Sequence, residues 1–105
     1  MDIDLKNVDR VLAEKVIGYK TEDSILTRSY WTLDCNNKII YFNPTANIED
    51  AFKLINKAQE DGYAWSMQMN NLENEVEVVI GTGYSSSKSI PLAISMATLR
   101  NYKLV

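Results

Sequence analysis

The stretch that begins at Val78 constrains the fold of this chain more than any other part of the sequence. Val78-Val79-Ile80 is rich in β-branched residues and predicts a strand, and Gly81-Thr82-Gly83 after it is typical of a turn. The polar run from Tyr84 to Lys88 predicts a loop. Ser89-Ile90-Pro91 predicts a helix start, since serine caps free N–H groups and proline suits the first helical turn.

The same connection is a candidate anion site. A helix N-terminus presents free N–H groups and the positive end of its dipole, and Gly83, Tyr84, Ser85 and Lys88 lie in the segment that leads to it. The glycine spacing matches neither the dinucleotide fingerprint nor a Walker loop, and Lys88 has no glycine before it. An ordinary surface connection with positive-φ glycines is therefore the alternative.

Composition excludes several function classes. The chain has 105 residues, a net charge of −3 and no histidine, and Cys35 is its only cysteine. These features argue against duplex nucleic acid binding, a zinc site and a histidine-activated serine. We therefore predict no catalytic residues, no metal, no cofactor and no enzymatic activity. With no secretory signal and no apolar run of membrane-spanning length, we expect a cytoplasmic protein that does not bind membranes.

Two amphipathic helices are predicted in the first half of the chain. Apolar residues at helical spacing run from Leu5 to Val16, with Asp9 assigned to the polar side, and the helix ends near Gly18. The second helix begins after Asn47, a good N-cap, and ends at Gly62.

Strands fill the remaining segments. A hairpin is predicted from Ser29–Leu33 and Lys38–Phe42, after a polar, turn-like Thr21–Ser24. A second hairpin is predicted from Tyr63–Met69 and Glu75–Ile80. We predict one α+β domain over residues 1–105, an α/β/α sandwich with a mainly antiparallel four-stranded sheet in the order α-β-β-α-β-β-α.

The assembled pattern resembles the phage ABA-sandwich domain, found in small proteins of phages and prophages of Gram-positive bacteria. The resemblance covers nearly the whole chain. Its more specific parts are Asn43-Pro44-Thr45 before the aspartate-bearing helix, and the Pro91-Leu92-Ala93-Ile94 helix start. The other segments that carry it are Val11–Tyr19, Tyr41–Phe42 and Asn47–Leu54.

Proteins similar to this domain include the Thoeris anti-defence sponges, which bind cyclic ADP-ribose isomers, in some cases cyclic oligonucleotides, without cleaving them. The resemblance implies a homo-oligomer in the host cytoplasm that sequesters such a signal. It also implies a ligand-binding arginine near the C-terminus, for which Arg100 is the match, with Arg28 as a second basic group. Trp65 or Tyr84 would stack on the base, and Lys88 with the Gly81–Ser89 loop would take the pyrophosphate.

Other interpretations of these residues stay open. Trp65 also fits core packing, and Arg100 also fits favourable placement at a helix C-terminus. The alternative function is a protein-interaction module that docks on a host or phage protein. A third possible function is a carboxylate-dependent phosphodiesterase, which the absence of clustered metal ligands in the sequence disfavours.

Overall fold

The structure, a computed structural model, describes residues 4–24 and 29–104. The described residues form three α-helices and two three-stranded antiparallel sheets, so the predicted α+β class is confirmed. The predicted single four-stranded sheet is wrong, because each half of the chain contributes one strand more than expected. In chain order the elements are α1 (Leu5–Leu12) with a π-helical continuation (Ala13–Ile17), β1 (Lys20–Ser24), β2 (Ser29–Leu33), β3 (Ile39–Ile40), α2 (Ile48–Glu60), β4 (Trp65–Asn70), β5 (Glu75–Ile80), β6 (Gly83–Ser87) and α3 (Ile90–Asn101).

The first additional strand is β1, which we expected to be a turn. It pairs with β2 along its whole length, from Lys20 opposite Leu33 to Ser24 opposite Ser29. Its sequence, KTEDS, contains no large apolar residue. The strand is held by this pairing and by Arg10 of α1, whose guanidinium donates to Thr21 Oγ1 (2.9 Å) and Asp23 Oδ1 (2.6 Å). Partners far away in sequence therefore override its weak strand propensity.

The second additional strand is β6, which corrects the predicted polar loop from Tyr84 to Lys88. Gly81 and Thr82 form the turn, and the chain then pairs with β5 from Gly83 opposite Ile80 to Ser87 opposite Val76. The turn prediction is confirmed at Gly81, where φ is +57°. The loop prediction is wrong, because antiparallel pairing with β5 satisfies the backbone of a serine-rich segment that propensity alone assigns to a loop.

The predicted helix boundaries agree closely with the structure. Asn47 Oδ1 accepts a hydrogen bond from the N–H of Asp50 (3.0 Å), and Ser89 Oγ accepts one from the N–H of Leu92 (3.3 Å). The first helical segment ends at Gly18, whose φ of +92° is the left-handed conformation of a helix C-terminus. The β2–β3 hairpin is also confirmed, although its returning strand is only Ile39–Ile40.

Helix α3 is the centre of the fold. Every residue from Ala93 to Leu99 is buried, and the helix contacts β5, β6, α2 and α1. The β5 residues Val76, Val78 and Ile80 are buried, as their alternation predicted. No helix in the described ranges is long and apolar enough to cross a membrane.

Candidate ligand-binding site

Two of the predicted site residues lie together. Arg100, in the last turn of α3, donates from Nη1 to the main-chain oxygen of Tyr84 on β6 at 2.6 Å. The Tyr84 hydroxyl in turn donates to Oε1 of Glu77 at 3.3 Å. Partial burial and the charge of Glu77 raise the pKa of Tyr84, and a hydrogen bond from Gln68 (2.8 Å) holds the pKa of Glu77 below its usual range. An ionised carboxylate beside Tyr84 opposes the approach of a phosphate at this surface.

Gly83 and Ser85 lie beneath α3 rather than in a surface loop. Both are buried, Ser85 with 4% of its surface exposed. A Cβ on Gly83 would meet the main-chain oxygen of Ala97 and the main-chain nitrogen of Asn101. Close contact between strand and helix therefore explains this glycine, and Gly83 and Ser85 lie in a strand instead of the predicted loop.

The other predicted residues are spread over the molecule. Trp65 lies on β4 opposite Ile80 and shares its face, whereas Tyr84 pairs with Val79 and faces the other side of the same sheet. Trp65 and Tyr84 therefore cannot stack on one base within a single chain. Lys88 is exposed just after β6. Arg28 lies outside the described residues.

A cleft of about 210 Å³ lies between α1 and the first sheet, at a place that the sequence did not indicate. We call it the aromatic cleft, because four of its lining residues carry aromatic rings. Ligand pockets for drug-sized molecules are typically about 300–1,000 Å³, so this cleft accommodates one ring system of a larger ligand. The lining residues are Lys6, Asp9, Ser29, Tyr30, Trp31, Thr32, Ile40, Tyr41, Phe42 and Asn43.

Two basic side chains lie near this cleft. A second depression of about 220 Å³ shares Lys6 and Tyr30 with the cleft and adds Arg10. Arg10 is already paired with Asp23 and Glu14, and its guanidinium carbon lies 5.2 Å from the centre of the Tyr30 ring. Lys6 forms no ion pair with any described residue. Of these two side chains, Lys6 is therefore the one whose positive charge is available to a ligand.

The cleft also contains a buried carboxylate. Asp9 is only 6% exposed, and it accepts hydrogen bonds from the main-chain N–H of Thr45 (3.0 Å) and from its hydroxyl (3.1 Å). Burial raises the pKa of Asp9 despite these two bonds, and the nearby Asp50 raises it further. The Tyr30 hydroxyl donates to the main-chain oxygen of Lys6 (3.1 Å). Burial, with the negative charge of Asp9, raises the pKa of Tyr30 to about 12.

Sequence reasoning missed Lys6, Asp9 and Tyr41, and its assignment of Asp9 to the polar side of the helix was wrong. A usable signal existed. Asp9 follows Leu5 by four positions and precedes Leu12 by three, which places it on the apolar stripe. A carboxylate at such a position must find hydrogen-bond donors inside the protein, and Thr45 supplies them.

Metal ligands are not clustered anywhere in the part of the chain that the structure describes. No group of three or more cysteine, aspartate or glutamate side chains there has an arrangement able to hold an ion. The single cysteine, Cys35, is exposed in the turn that follows β2.

Comparisons with known proteins support the fold. Residues 10–99 match the family model of the phage ABA sandwich domain. The chain is also similar to a phage protein from Bacillus cereus ATCC 14579, whose crystal structure was determined at 2.0 Å. The TM-score is 0.67 at 18% sequence identity, and the match covers 95% of this chain and 93% of that one. No curated protein matches the sequence.

Proposed function

Since the chain belongs to the phage ABA sandwich domain family, we propose that it is a phage binding protein that sequesters a cyclic nucleotide immune signal. The ligand is a cyclic ADP-ribose isomer or a related cyclic nucleotide, held intact in the host cytoplasm, and the effect is inhibition of Thoeris-type immunity. The observation that carries this proposal is the aromatic cleft, where the half-buried Tyr30 ring lies beside Lys6, a lysine that has no ion pair with any described residue.

The cleft has the two kinds of group that such a ligand requires. Tyr30 offers a ring face for an adenine on the side of the first sheet that faces α1, and stacking on an aromatic side chain contributes about 1–3 kcal/mol per base. Lys6 offers a positive charge to the pyrophosphate, and the neighbouring depression extends the site toward Arg10. Because the whole chain carries a net charge of −3, attraction of an anion depends on such local cations.

Sequestration without cleavage suits the chemistry of the cleft. Hydrolysis of a phosphoanhydride requires a general base or a metal-activated water, and this chain contains no histidine. Asp9 is the one carboxylate among the described residues that line the cleft, so it has no second carboxylate there as an acid/base partner. Binding alone needs neither a base nor a nucleophile.

Calorimetric titration with a cyclic ADP-ribose isomer tests the proposal. We expect Tyr30→Ala to weaken binding by roughly fivefold to a hundredfold, as expected for loss of one stacking ring. Trp65→Ala is the control, because Trp65 also has a partly exposed aromatic ring (36%) but lies on the other sheet. Equal losses in the two variants, or a loss in Trp65→Ala alone, would show that the ligand does not bind in the cleft.

Recovery of the ligand separates a sponge from an enzyme. The protein is loaded, denatured, and the released small molecules are identified by mass spectrometry. We expect the intact isomer, whereas linear ADP-ribose or a smaller product would contradict sequestration and favour the phosphodiesterase.

One observation favours the alternative of a protein-interaction module. On β4, Trp65, Met67 and Met69 form a row on the face of the sheet that α3 covers at β5 and β6. Met69 is 55% exposed, and exposed apolar rows of this kind often mark interaction surfaces. If no cyclic nucleotide binds at micromolar concentration, capture of a host or phage protein that Met69→Lys abolishes would support the module.

A further inference from the structure

We infer that Asp9 recognises the exocyclic amino group of the base bound in the aromatic cleft, which makes the site selective for adenine-type rings. This inference rests on the proposed function and adds a residue that determines specificity. It follows from the position, burial and hydrogen bonding of a single carboxylate.

Asp9 has acceptor capacity that the described residues do not use. An ionised carboxylate offers about four lone-pair positions, two on each oxygen. In the described part of the chain Thr45 fills one position on each oxygen, at 3.0 Å from its N–H and 3.1 Å from its hydroxyl. One acceptor position per oxygen therefore remains for a donor in the cleft that Asp9 lines.

The surroundings of Asp9 favour a ligand donor over bulk water. The residue is 6% exposed, so the cleft is the route by which a partner reaches it. The Tyr30 hydroxyl lies near enough to Asp9 for the negative charge to raise its pKa, but it donates its hydrogen bond to the main-chain oxygen of Lys6. Tyr30 therefore does not occupy an acceptor position of the Asp9 carboxylate. A buried carboxylate without full hydrogen bonding is costly, and an amino group from the ligand would reduce that cost.

The class of ligand follows from these contacts. The Tyr30 ring, which lies on the side of the sheet that faces α1, stacks on a flat, uncharged ring, and the Asp9 carboxylate accepts a hydrogen bond from an N–H at the edge of that ring. The 6-amino group of adenine meets this requirement. A carbonyl at the same position would place two acceptors against each other, so 6-oxo rings should bind less well at this contact.

The test is calorimetric titration with AMP and with purine riboside 5′-monophosphate, which differs from AMP only by lacking the amino group. We expect AMP to bind wild-type protein about tenfold more tightly or better, because a hydrogen bond to a charged group is lost in the analogue. In Asp9→Asn the two ligands should bind within about twofold of each other, since the charge of the acceptor is gone.

Asp50→Asn is the matched control. Asp50 is also buried (8% exposed) and accepts the N–H of Asn43 at 2.9 Å, but it is not among the residues that line the cleft. This variant should keep the wild-type preference for AMP. If Asp9→Asn does not fold, equal affinities of wild-type protein for the two ligands still overturn the inference.

Two results would overturn the inference. Equal affinities of wild-type protein for the two nucleotides would exclude recognition of the amino group, as would failure of both to bind. The proposed function fails separately, when the cyclic ADP-ribose isomer itself does not bind or when Tyr30→Ala leaves its affinity unchanged.

Discussion

Gly83 illustrates how one residue sets the distance between a strand and a helix. It begins β6 under the last turns of α3, where a Cβ would overlap the oxygen of Ala97 and the nitrogen of Asn101. Backbone atoms of a buried helix cannot move aside as a flexible side chain can. The residue is therefore glycine because of space, since no positive φ is involved.

We predict that Gly83→Ala lowers the free energy of unfolding by about 1–3 kcal/mol or more, the range typical of overpacking. Gly62→Ala is the control: Gly62 has a φ of +89° but nothing within 4 Å of an added Cβ. It should lose only about 1–2 kcal/mol, from the left-handed backbone alone. Urea unfolding of both variants measures the difference. A Gly83→Ala variant as stable as wild type would contradict the close contact.

At the scale of elements, features with local causes were predictable from the sequence. The caps at Asn47 and Ser89 form within three residues of each helix start, so the sequence around them contains the whole interaction. The alternating burial of β5 was predictable for the same reason. The strands β1 and β6 were not, because each is stabilised by a neighbouring strand while its own composition is polar.

The aromatic cleft could not be predicted from the sequence for a related reason. Its residues come from α1, from β2 and from the segment around β3, and only the packing of the helix against the first sheet brings them together. Tyr30 and Trp31 were noted as strand residues, yet nothing local reveals that Lys6 lies beside them. The spacing of Asp9 was the one local sign, since it falls on an apolar stripe.

The uncovered edge of the second sheet leads to a prediction about assembly. Strand β4 lies at the edge, and its sequence WSMQMN has no charge and no proline to block pairing. With Trp65 and Met69 partly exposed on it, we expect a homo-oligomer, at least a dimer, at micromolar concentration. Met69→Lys should convert it to a 12.0 kDa monomer, as measured by light scattering.

Leu72→Lys is the control for that experiment. Leu72 is 98% exposed in the turn after β4, so it is equally apolar but does not belong to the row. This variant should keep the wild-type mass. A monomeric wild-type protein, or an oligomer that survives Met69→Lys, would contradict self-association through β4.

At the scale of the whole molecule, the chain after α1 consists of two successive β-β-β-α units. The predicted order α-β-β-α-β-β-α has two strands before each of the last two helices, and the structure adds one strand to each unit. The two sheets differ in their surroundings. The second lies against α3, whereas the first leaves the aromatic cleft between itself and α1. The second unit therefore provides the largest share of the buried apolar core, and the first provides the candidate site.

Alkaline pH tests how deeply Tyr30 is buried in the cleft, because a tyrosine whose pKa rises on folding links folding to proton binding. The pKa of Tyr30 is about 12 in the folded protein, mainly through burial, against an ordinary value of 10.0. Burial, with a hydrogen bond to Asp61, also raises the pKa of Tyr102. Between pH 10.0 and about 12 the unfolded chain loses the Tyr30 proton and the folded protein keeps it. In this pH range the folded protein binds more protons than the unfolded chain, so the free energy of unfolding falls as pH rises.

We predict that Tyr30→Phe makes this decline shallower. At neutral pH the variant should lose about 1 kcal/mol, from the hydrogen bond to the main-chain oxygen of Lys6. Above the ordinary tyrosine pKa its stability should approach that of wild type, because it has no proton at this position to lose on unfolding. Urea unfolding at about pH 7, 9 and 11 measures both effects, and Tyr30→Phe with Tyr102→Phe should flatten the decline further. A parallel decline in wild type and Tyr30→Phe would mean that the Tyr30 hydroxyl is open to water, and the cleft would then lack the partly buried wall that a stacked base requires.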